Sequence, residues 1–572
     1  MAKGPTVKMR KRMAFFLSFI CIVGFGGLIC RLAKLQLFDG EYYQKLAAKQ
    51  QMRVTTISPE RGTIYDRNMK VLAQSATVWT VSISPVDIKS EEERELVADY
   101  LSELLEVDKD YILERSRKNT YYEIIKRKIE RPLADQITKF KTDNKINCIN
   151  LDEDNKRYYP FDNFAADVLG FTGSENQGAY GLEAYYNSIL SGTPGQIVSV
   201  KNAKGEDMPY KYDKMYEAEN GNSIVLTIDE TVQHYVEKHL EAAVKENDVR
   251  QRAVGIAMDV KTGAILGMAT KGDFDPNSPT EVTDPYLLAT LEGLEGDEYK
   301  EALQQAQFIQ WRNKAISDPY EPGSVFKILT ASAAMEEGVV HQDDTFVCNG
   351  YHEVSGETIR CWKTGGHGTQ NFLGALMHSC NPAFMTIGER LGVEKFYDYF
   401  ELFGLTDITG VDLPGEANGI MHNRDSMTVL NLASSSMGQS FKVTPIQLLT
   451  AICGVLNDGQ LMKPYIVSQI LDENGSIVKT TEPQVVRQVV SKETSDTIAL
   501  MCEQVVAGSG GSGRLAYRPG YRIGGKTGTS QKLDQNKNEE EKNVLSFLGF
   551  APANDPQVAV LVLLDEPNLN NT

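Results

Sequence analysis

AVGIAMDVKTGAILGMAT, residues 253–270, reads as two apolar strands joined by a Lys261-Thr262-Gly263 turn, the pattern of a β-hairpin. Far downstream the strand signals return, as YRIGGKTGT (521–529), VLSFLGFAP (544–552) and VAVLVLLD (558–565). The stretch between them is mainly helical in texture. Strands at both ends of a helical middle predict one sheet completed by chain segments distant in sequence. The expected core is a mostly antiparallel sheet of about five strands flanked by helices. SIVLTID (223–229), a strand running into a helix signal, opens this region, which is drawn as 222–572.

Residues 37–221 upstream read differently. VWTVSIS (78–84) alternates like a strand, and EEERELVADYLSELLEV (91–107) has the period of an amphipathic helix. Residues 177–195 are rich in Gly, Tyr and Asn and read as loop. No repeat of solenoid length is visible. The expectation is an elongated α+β pedestal, and an α+β class for the whole chain.

The N-terminus adds a third element. Lys3, Lys8, Arg10, Lys11 and Arg12 precede MAFFLSFICIVGFGGLIC, residues 13–30, and LAKLQLF continues the apolar pattern after Arg31. Such a run is about 27 Å long as a helix, close to the thickness of a bilayer's hydrocarbon core. This predicts a single transmembrane anchor over 13–36 behind a tail at 1–12. The basic flank puts that tail in the cytoplasm and everything after the anchor outside the cell membrane. The rival reading is a cleaved signal peptide, but no A-x-A-like site follows the run.

Length and charge set outer bounds. A chain of 572 residues calls for two or three domains. A net charge of −18 excludes nucleic acid as a partner, since its phosphates would be repelled. Eight cysteines scattered over this length do not make a disulfide scaffold.

Three short elements in the second region carry chemistry, and each is weak alone. Ser324-Val325-Phe326-Lys327 places a lysine one turn from a serine, so Lys327 could take the hydroxyl proton if its pKa were lowered from about 10.4. Burial and a nearby cation such as Lys526 would lower it. Pro322-Gly323 ahead of Ser324 fits a helix beginning there, with its dipole set to favour a developing oxyanion. Ser379-Cys380-Asn381 offers a proton relay at Ser379 and an amide holder at Asn381. Lys526-Thr527-Gly528-Thr529 sets a cation and two hydroxyls along a strand, suited to a carboxylate, and Gly528 lets the backbone approach closely. Decoys exist. Ser476-Ile477-Val478-Lys479 follows a turn signature, and K-T-G recurs at Lys261 and at Lys363. What counts is the order of the three, with a turn before the first and a strand around the last. Metalloprotease, P-loop and dinucleotide motifs are not found, and none of the 7 histidines pairs evidently with Ser324.

The set S-x-x-K, S-x-N, K-T-G in this order resembles that of penicillin-binding proteins and class A β-lactamases. Over nearly its whole length the chain resembles class B penicillin-binding proteins. Arg61-Gly62-Thr63-Ile64-Tyr65-Asp66-Arg67-Asn68, Arg157-x-Tyr159-Pro160 and Gly178-x-x-Gly181-x-Glu183-x-x-Tyr186 look like signatures of that family's membrane-proximal domain, a pedestal and partner-binding module. Gly438-Gln439 with Thr444-Pro445-x-Gln447 resembles a stretch supporting the catalytic core. The absence of a glycosyltransferase-like segment before residue 220 points away from a bifunctional class A enzyme.

The resemblance implies a serine D,D-transpeptidase acting on peptidoglycan stem peptides ending in D-Ala-D-Ala. Ser324 would form the acyl-enzyme, and the backbone N–H groups of Ser324 and Thr529 would form the oxyanion hole. β-Lactam antibiotics would acylate the same serine. It further implies a lipid-II glycosyltransferase partner of the SEDS kind, and no cofactor for acyl transfer. The rivals are a β-lactamase, a membrane β-lactam sensor and a non-catalytic division scaffold. The pedestal has no purpose in the first, the second needs more membrane spans, and intact Ser324, Lys327 and Lys526 count against the third.

Cys348, Cys361, His367 and Cys380 lie between the first two motifs, 13, 6 and 13 residues apart. Three thiolates and an imidazole suit tetrahedral Zn²⁺, and some rod-elongation and sporulation-type members of the family carry a zinc site here. A Cys348–Cys361 disulfide and simple buried cysteines are the alternatives. This loop draws the chain towards the division or stage V sporulation branch rather than side-wall elongation. One departure concerns the end. The family closes its core with a long helix, whereas here LDEPNLNNT (564–572) directly follows the last strand signal. Either the sequence is truncated there or the helix is lacking, and one sheet face would then be exposed.

Overall fold

The computed structural model describes residues 6–39, 52–200, 214–532 and 542–568. Lys3 of the basic flank lies outside them. The described chain forms two compact units.

One unit holds the N-terminal helix and a small sheet. The helix runs Val7–Ala33, continues as a π-helical turn Lys34–Phe38, and has no buried residue. Val7–Gln36 is the one helix among the described residues long and apolar enough to cross a membrane. The helix starts earlier than the apolar run because Lys8, Arg10, Lys11 and Arg12 are good helix formers and extend it by nearly two turns. The sheet pairs Gly195–Val200 with both Met52–Ile57 and Lys214–Tyr216, all antiparallel.

The second unit spans 60–192 and 220–572. Its five-stranded sheet runs in the order Ile265–Lys271, Arg252–Asp259, Val558–Asp565, Asn543–Ala551, Gly524–Gln531, with every pair antiparallel. The expected hairpin turns at Gly263, whose positive φ of 77° a side chain would oppose. The two chain ends of the domain therefore meet at the middle of the sheet. On one side the helix Glu230–Glu246 lays Val236, Leu240 and Val244 against Ala253, Ala269, Val562 and Leu564. The outer face expected to be bare is thus partly covered. The helices Lys327–Glu336, Pro445–Leu456 and Lys492–Ala507 contribute to the large core that also takes in the sheet. Pro445–Leu456 is buried along its whole length. It starts on a reciprocal capping box between Thr444 and Gln447, the physical content of the Thr444-Pro445-x-Gln447 motif.

A second sheet is organised around the long strand Val71–Ile83, flanked by Glu123–Ile129 and Ile149–Tyr158. Helices Glu91–Leu105 and Arg131–Asn144 bury Val97, Leu101 and Ile137 in a core with Val81 and Ile83. This sheet continues through Ile64–Tyr65, which pairs in parallel with Ser223–Leu226, and on to Val467–Leu471. Residues 177–195, read as loop, contain two short helices, Gly181–Tyr185 and Asn187–Leu190. Neither is long enough to show a period in sequence. Burial of Leu182, Glu183 and Leu190 holds them.

Candidate active site

Ser324 lies on a 3-10 turn, Gly323–Phe326, that feeds directly into the helix Lys327–Glu336. It therefore precedes the α-helix rather than opening it. The tighter 3-10 winding eclipses residues i and i+3, and Lys327 Nζ accordingly reaches Ser324 Oγ at 2.9 Å. Gly323 is required at this turn. Its φ is +55°, and an added Cβ would stand 2.6 Å from the Thr529 carbonyl oxygen. Gly438 is packed just as tightly against Gly323, which explains the Gly438-Gln439 motif: a Cβ there would fall 1.9 Å from the Gly323 oxygen.

The second motif sits on a strained turn. Ser379 has φ +53° and precedes the helix Asn381–Leu391. That conformation aims both its hydroxyl and its carbonyl at the lysines. Lys327 Nζ donates to Ser379 O at 2.9 Å, to Ser379 Oγ at 3.2 Å and to Asn381 Oδ1 at 2.7 Å. From the edge strand, Lys526 Nζ donates to the same Ser379 Oγ at 3.0 Å. All five residues thus belong to one hydrogen-bonded set, with Ser379 Oγ between the two amines.

Both lysines are fully buried, and among the described residues no carboxylate lies within ion-pair distance of either. Burial pushes Lys327 down to about 7. Lys526 is held well below its ordinary value by burial and by the charge of Lys327. Lys327 is thereby suited to taking a proton near neutral pH.

Thr527 and Thr529 line a cleft of about 690 Å³ together with Ser324, Ser379 and Asn381. Gly528 faces the serine turn, where a Cβ would meet Val325 Cγ2 at 2.9 Å and Pro322 O at 3.0 Å. The remaining lining includes residues that sequence reasoning missed, among them Arg360, Trp362, Ser512 and Gln531. Ser512 accepts from Thr527 Oγ1 at 3.2 Å. It comes from the Gly/Ser-rich run 508–513, whose composition signals a loop and nothing about what the loop touches. The decoys fall elsewhere. Lys261-Thr262-Gly263 makes the hairpin turn, Lys363-Thr364-Gly365 is a surface turn, and Ile477–Thr480 is an exposed hairpin strand.

Beside this set, the donor atoms of Cys348, Cys361, His367 and Cys380 all lie within 4.8 Å of one another. Strand Thr345–Cys348 pairs with Gly368–Asn371 and so brings Cys348 to the loop carrying His367. Cys361 Sγ is 3.6 Å from His367 Nδ1, near the roughly 3.5 Å sulfur–nitrogen edge of a tetrahedral zinc site. Among the described residues His367 Nε2 is buried without a partner, and no disulfide joins the cysteines. The Cys380 thiol stabilises a Cys361 thiolate and draws its pKa down. The residues fit a tetrahedral metal ion.

Residues 253–572 match the model of the penicillin binding protein transpeptidase domain, and 56–226 that of the penicillin-binding protein dimerisation domain. The chain is 37% identical to stage V sporulation protein D of Bacillus subtilis, covering 98% of this chain and 82% of that protein. It is 26% identical to a probable peptidoglycan D,D-transpeptidase PenA of Neisseria meningitidis, over 97% of this chain and 88% of the relative. Among solved structures it shares its fold with penicillin binding protein 2X of Streptococcus thermophilus, at TM-score 0.72, 24% identity, and coverage of 91% and 78%. It likewise shares it with penicillin binding protein 3 of Mycobacterium tuberculosis complexed with aztreonam, at TM-score 0.65, 24% identity, and coverage of 90% and 91%. With a serine–lysine site on the edge of an antiparallel sheet and a matching domain on either side of residue 226, the chain belongs to the class B penicillin-binding proteins.

Proposed function

We propose that this protein is a peptidoglycan D,D-transpeptidase working through an acyl-enzyme on Ser324. The observation that carries the reading is the buried pair Lys327 and Lys526 converging on Ser324 and Ser379, with no carboxylate partner among the described residues. Neutral Lys327 takes the Ser324 proton as Oγ attacks the carbonyl carbon of the penultimate D-Ala. The oxyanion is held by the backbone N–H groups of Ser324 and Thr529. As the C–N bond breaks, Lys327 passes that proton through Ser379 Oγ, which Lys526 also bonds, to the leaving D-Ala nitrogen and is neutral again. The amine of a second stem then attacks the ester carbonyl and loses its proton through the same relay to Lys327, which returns it to Ser324 Oγ as the C–Oγ bond breaks. Asn381 orients the donor's amide, while Thr527 and Thr529, with Gly528 giving room, hold its terminal carboxylate. β-Lactams follow the first half of this sequence and stay attached.

The chain is read as a tail at 1–12, an anchor at 13–36, a pedestal at 37–221 and a transpeptidase domain at 222–572. Its N-terminus would be cytoplasmic and its catalytic domain outside the membrane, beside a SEDS-type lipid-II glycosyltransferase. Cys348, Cys361, His367 and Cys380 would hold a structural Zn²⁺ that ties the loop 345–371 to the turn bearing Ser379. The acyl transfer itself needs no cofactor.

Intact mass of the full chain in detergent, after exposure to penicillin, tests the central claim. A single adduct on wild type and none on Ser324→Ala is expected. A folded wild type that takes up no penicillin would move the reading to a non-catalytic scaffold. Elemental analysis tests the metal, with one zinc per chain expected and loss of it in Cys361→Ser. A mass lower by two hydrogens, restored by reductant, would instead give the Cys348–Cys361 disulfide.

A further inference from the structure

One wall of the cleft has no role in the chemistry above. Strands Tyr351–Val354 and Glu357–Arg360 form a hairpin closed by Ser355 and Gly356, both with positive φ, a two-residue turn that fixes its register. Beyond it the backbone of Cys361 donates to Gly350 O at 2.8 Å, and the Cys361 side chain is buried in the thiol cluster. The whole run Thr358–Trp362 lines the cleft that contains Ser324, with Thr358, Arg360 and Trp362 more exposed than Ile359 and Cys361 between them.

Two of them are unusual. Among the described residues lining the cleft, Arg360 is the one with a basic or acidic side chain, and no described carboxylate lies within ion-pair distance of it. In a chain with 77 acidic and 59 basic residues, a guanidinium with no carboxylate partner among the described residues, in a cleft they line without acidic side chains, is set for an anion. Trp362 is 63% exposed yet held in place. Its Nε1–H donates to His378 O at 3.1 Å, and its ring meets His367 edge-on at 5.3 Å. A large aromatic surface held open to solvent beside a reactive serine is a platform for a ligand rather than part of a core.

We propose that Thr358–Trp362 is a recognition strip for the donor peptide. Arg360 binds a free carboxylate carried upstream of the acyl D-Ala, and Trp362 lies against the aliphatic chain bearing it. The inference rests on the transpeptidase reading, and it makes the enzyme selective for donors whose upstream carboxyl is free over amidated ones. The terminal carboxylate stays with Thr527 and Thr529, on a different segment of the lining.

The test uses the full chain in detergent and two synthetic peptides ending in D-Ala-D-Ala. They differ only in whether the side-chain carboxyl of the residue before the acyl D-Ala is free or amidated. The readout is the concentration of each peptide that halves the rate of Ser324 acylation by a fluorescent penicillin. In wild type the free acid should protect at about tenfold lower concentration. Arg360→Gln should bring the ratio to about one, Arg360→Lys should keep several-fold, and Arg360→Glu should reverse it. Trp362→Ala should weaken both peptides alike. Equal protection in wild type, no protection by either peptide, or an unchanged ratio in Arg360→Gln overturns the strip while leaving the acyl-enzyme standing. Failure of penicillin itself to acylate wild type overturns the transpeptidase reading, and the strip with it.

Discussion

Two buried charged networks in this molecule solve opposite problems. Around Ser379, two lysine amines share one hydroxyl, and among the described residues neither has a carboxylate partner. On the short helix Gly181–Tyr185, Glu183 sits between two guanidiniums. Arg61 Nε reaches one carboxylate oxygen at 2.5 Å and Arg157 Nε the other at 2.7 Å. Arg61 also donates to Glu183 O and Asn187 Oδ1, and Arg157 to Gly62 O. Glu183 is fully buried, as are the lysines. Burial is equal, so pairing makes the difference. A paired buried charge stays charged and locks its surroundings, whereas an unpaired buried amine gives up its proton and becomes reactive.

Removing one member of each network should separate these roles, and the largest effect belongs to the lysine. Lys327→Met should slow penicillin acylation of Ser324 by roughly 10²–10⁴-fold, the usual worth of a general base. Its melting temperature should stay close to that of wild type, because relief from burying an amine offsets the cost of leaving the Ser379 and Asn381 acceptors without that donor. A variant that both loses acylation and melts early would show that the amine is structural. Glu183→Gln should do the reverse. It leaves two guanidiniums buried without a counter-charge, costing about 3–5 kcal/mol in denaturant unfolding. Whatever fraction remains folded should acylate at an ordinary rate.

Legibility in the sequence follows the same division. Strands and helices with a clear period were readable, so the hairpin 252–271, the strand 558–565 and the helix 91–105 stand where their patterns put them. The order of three short motifs was enough to bring Ser324, Ser379 and Lys526 together. What the motifs hide is their geometry. Nothing in the residue order says that Ser379 adopts φ +53° or that Ser324 rides a 3-10 turn. The Arg61, Arg157 and Glu183 signatures were recognised as marks without a mechanism. Only folding, across 122 residues, shows that they are one ion-pair network. Arg360 and Trp362 carried no signal at all, because an arginine and a tryptophan beside a cysteine look like any surface strand.

The pH dependence sharpens the lysine side. Lys327 must be neutral to accept a proton, and neutral is its deprotonated form, so the rate rises with pH until the pKa is passed. With Lys327 pushed down to about 7 by burial, acylation should climb tenfold per pH unit below that point and level off above it. An exposed lysine would keep climbing to about pH 10.4. A profile flat from pH 5 to 8 would mean that the resting amine is already neutral in acid, or that another group takes the proton.

A third arrangement lies between the two extremes and should give the smallest effect. Among the described residues, Asp412 is a carboxylate met by neutral donors alone. Tyr186 OH reaches Oδ2 at 2.8 Å, while the backbone N–H groups of Ile466 and Val467 reach its oxygens at 2.7 Å and 2.9 Å. Burial and the Asp412 charge both raise the Tyr186 pKa, so its hydroxyl remains a donor throughout the working pH range. Tyr186→Phe removes one of three donors and leaves Oδ2 still bonded to Val467. The expected cost is about 1 kcal/mol in denaturant unfolding, with acylation of Ser324 within twofold of wild type. If the loss instead approaches that of Glu183→Gln, neutral donors support this carboxylate as strongly as arginines do, and counter-charge is not what distinguishes a structural network from a reactive one.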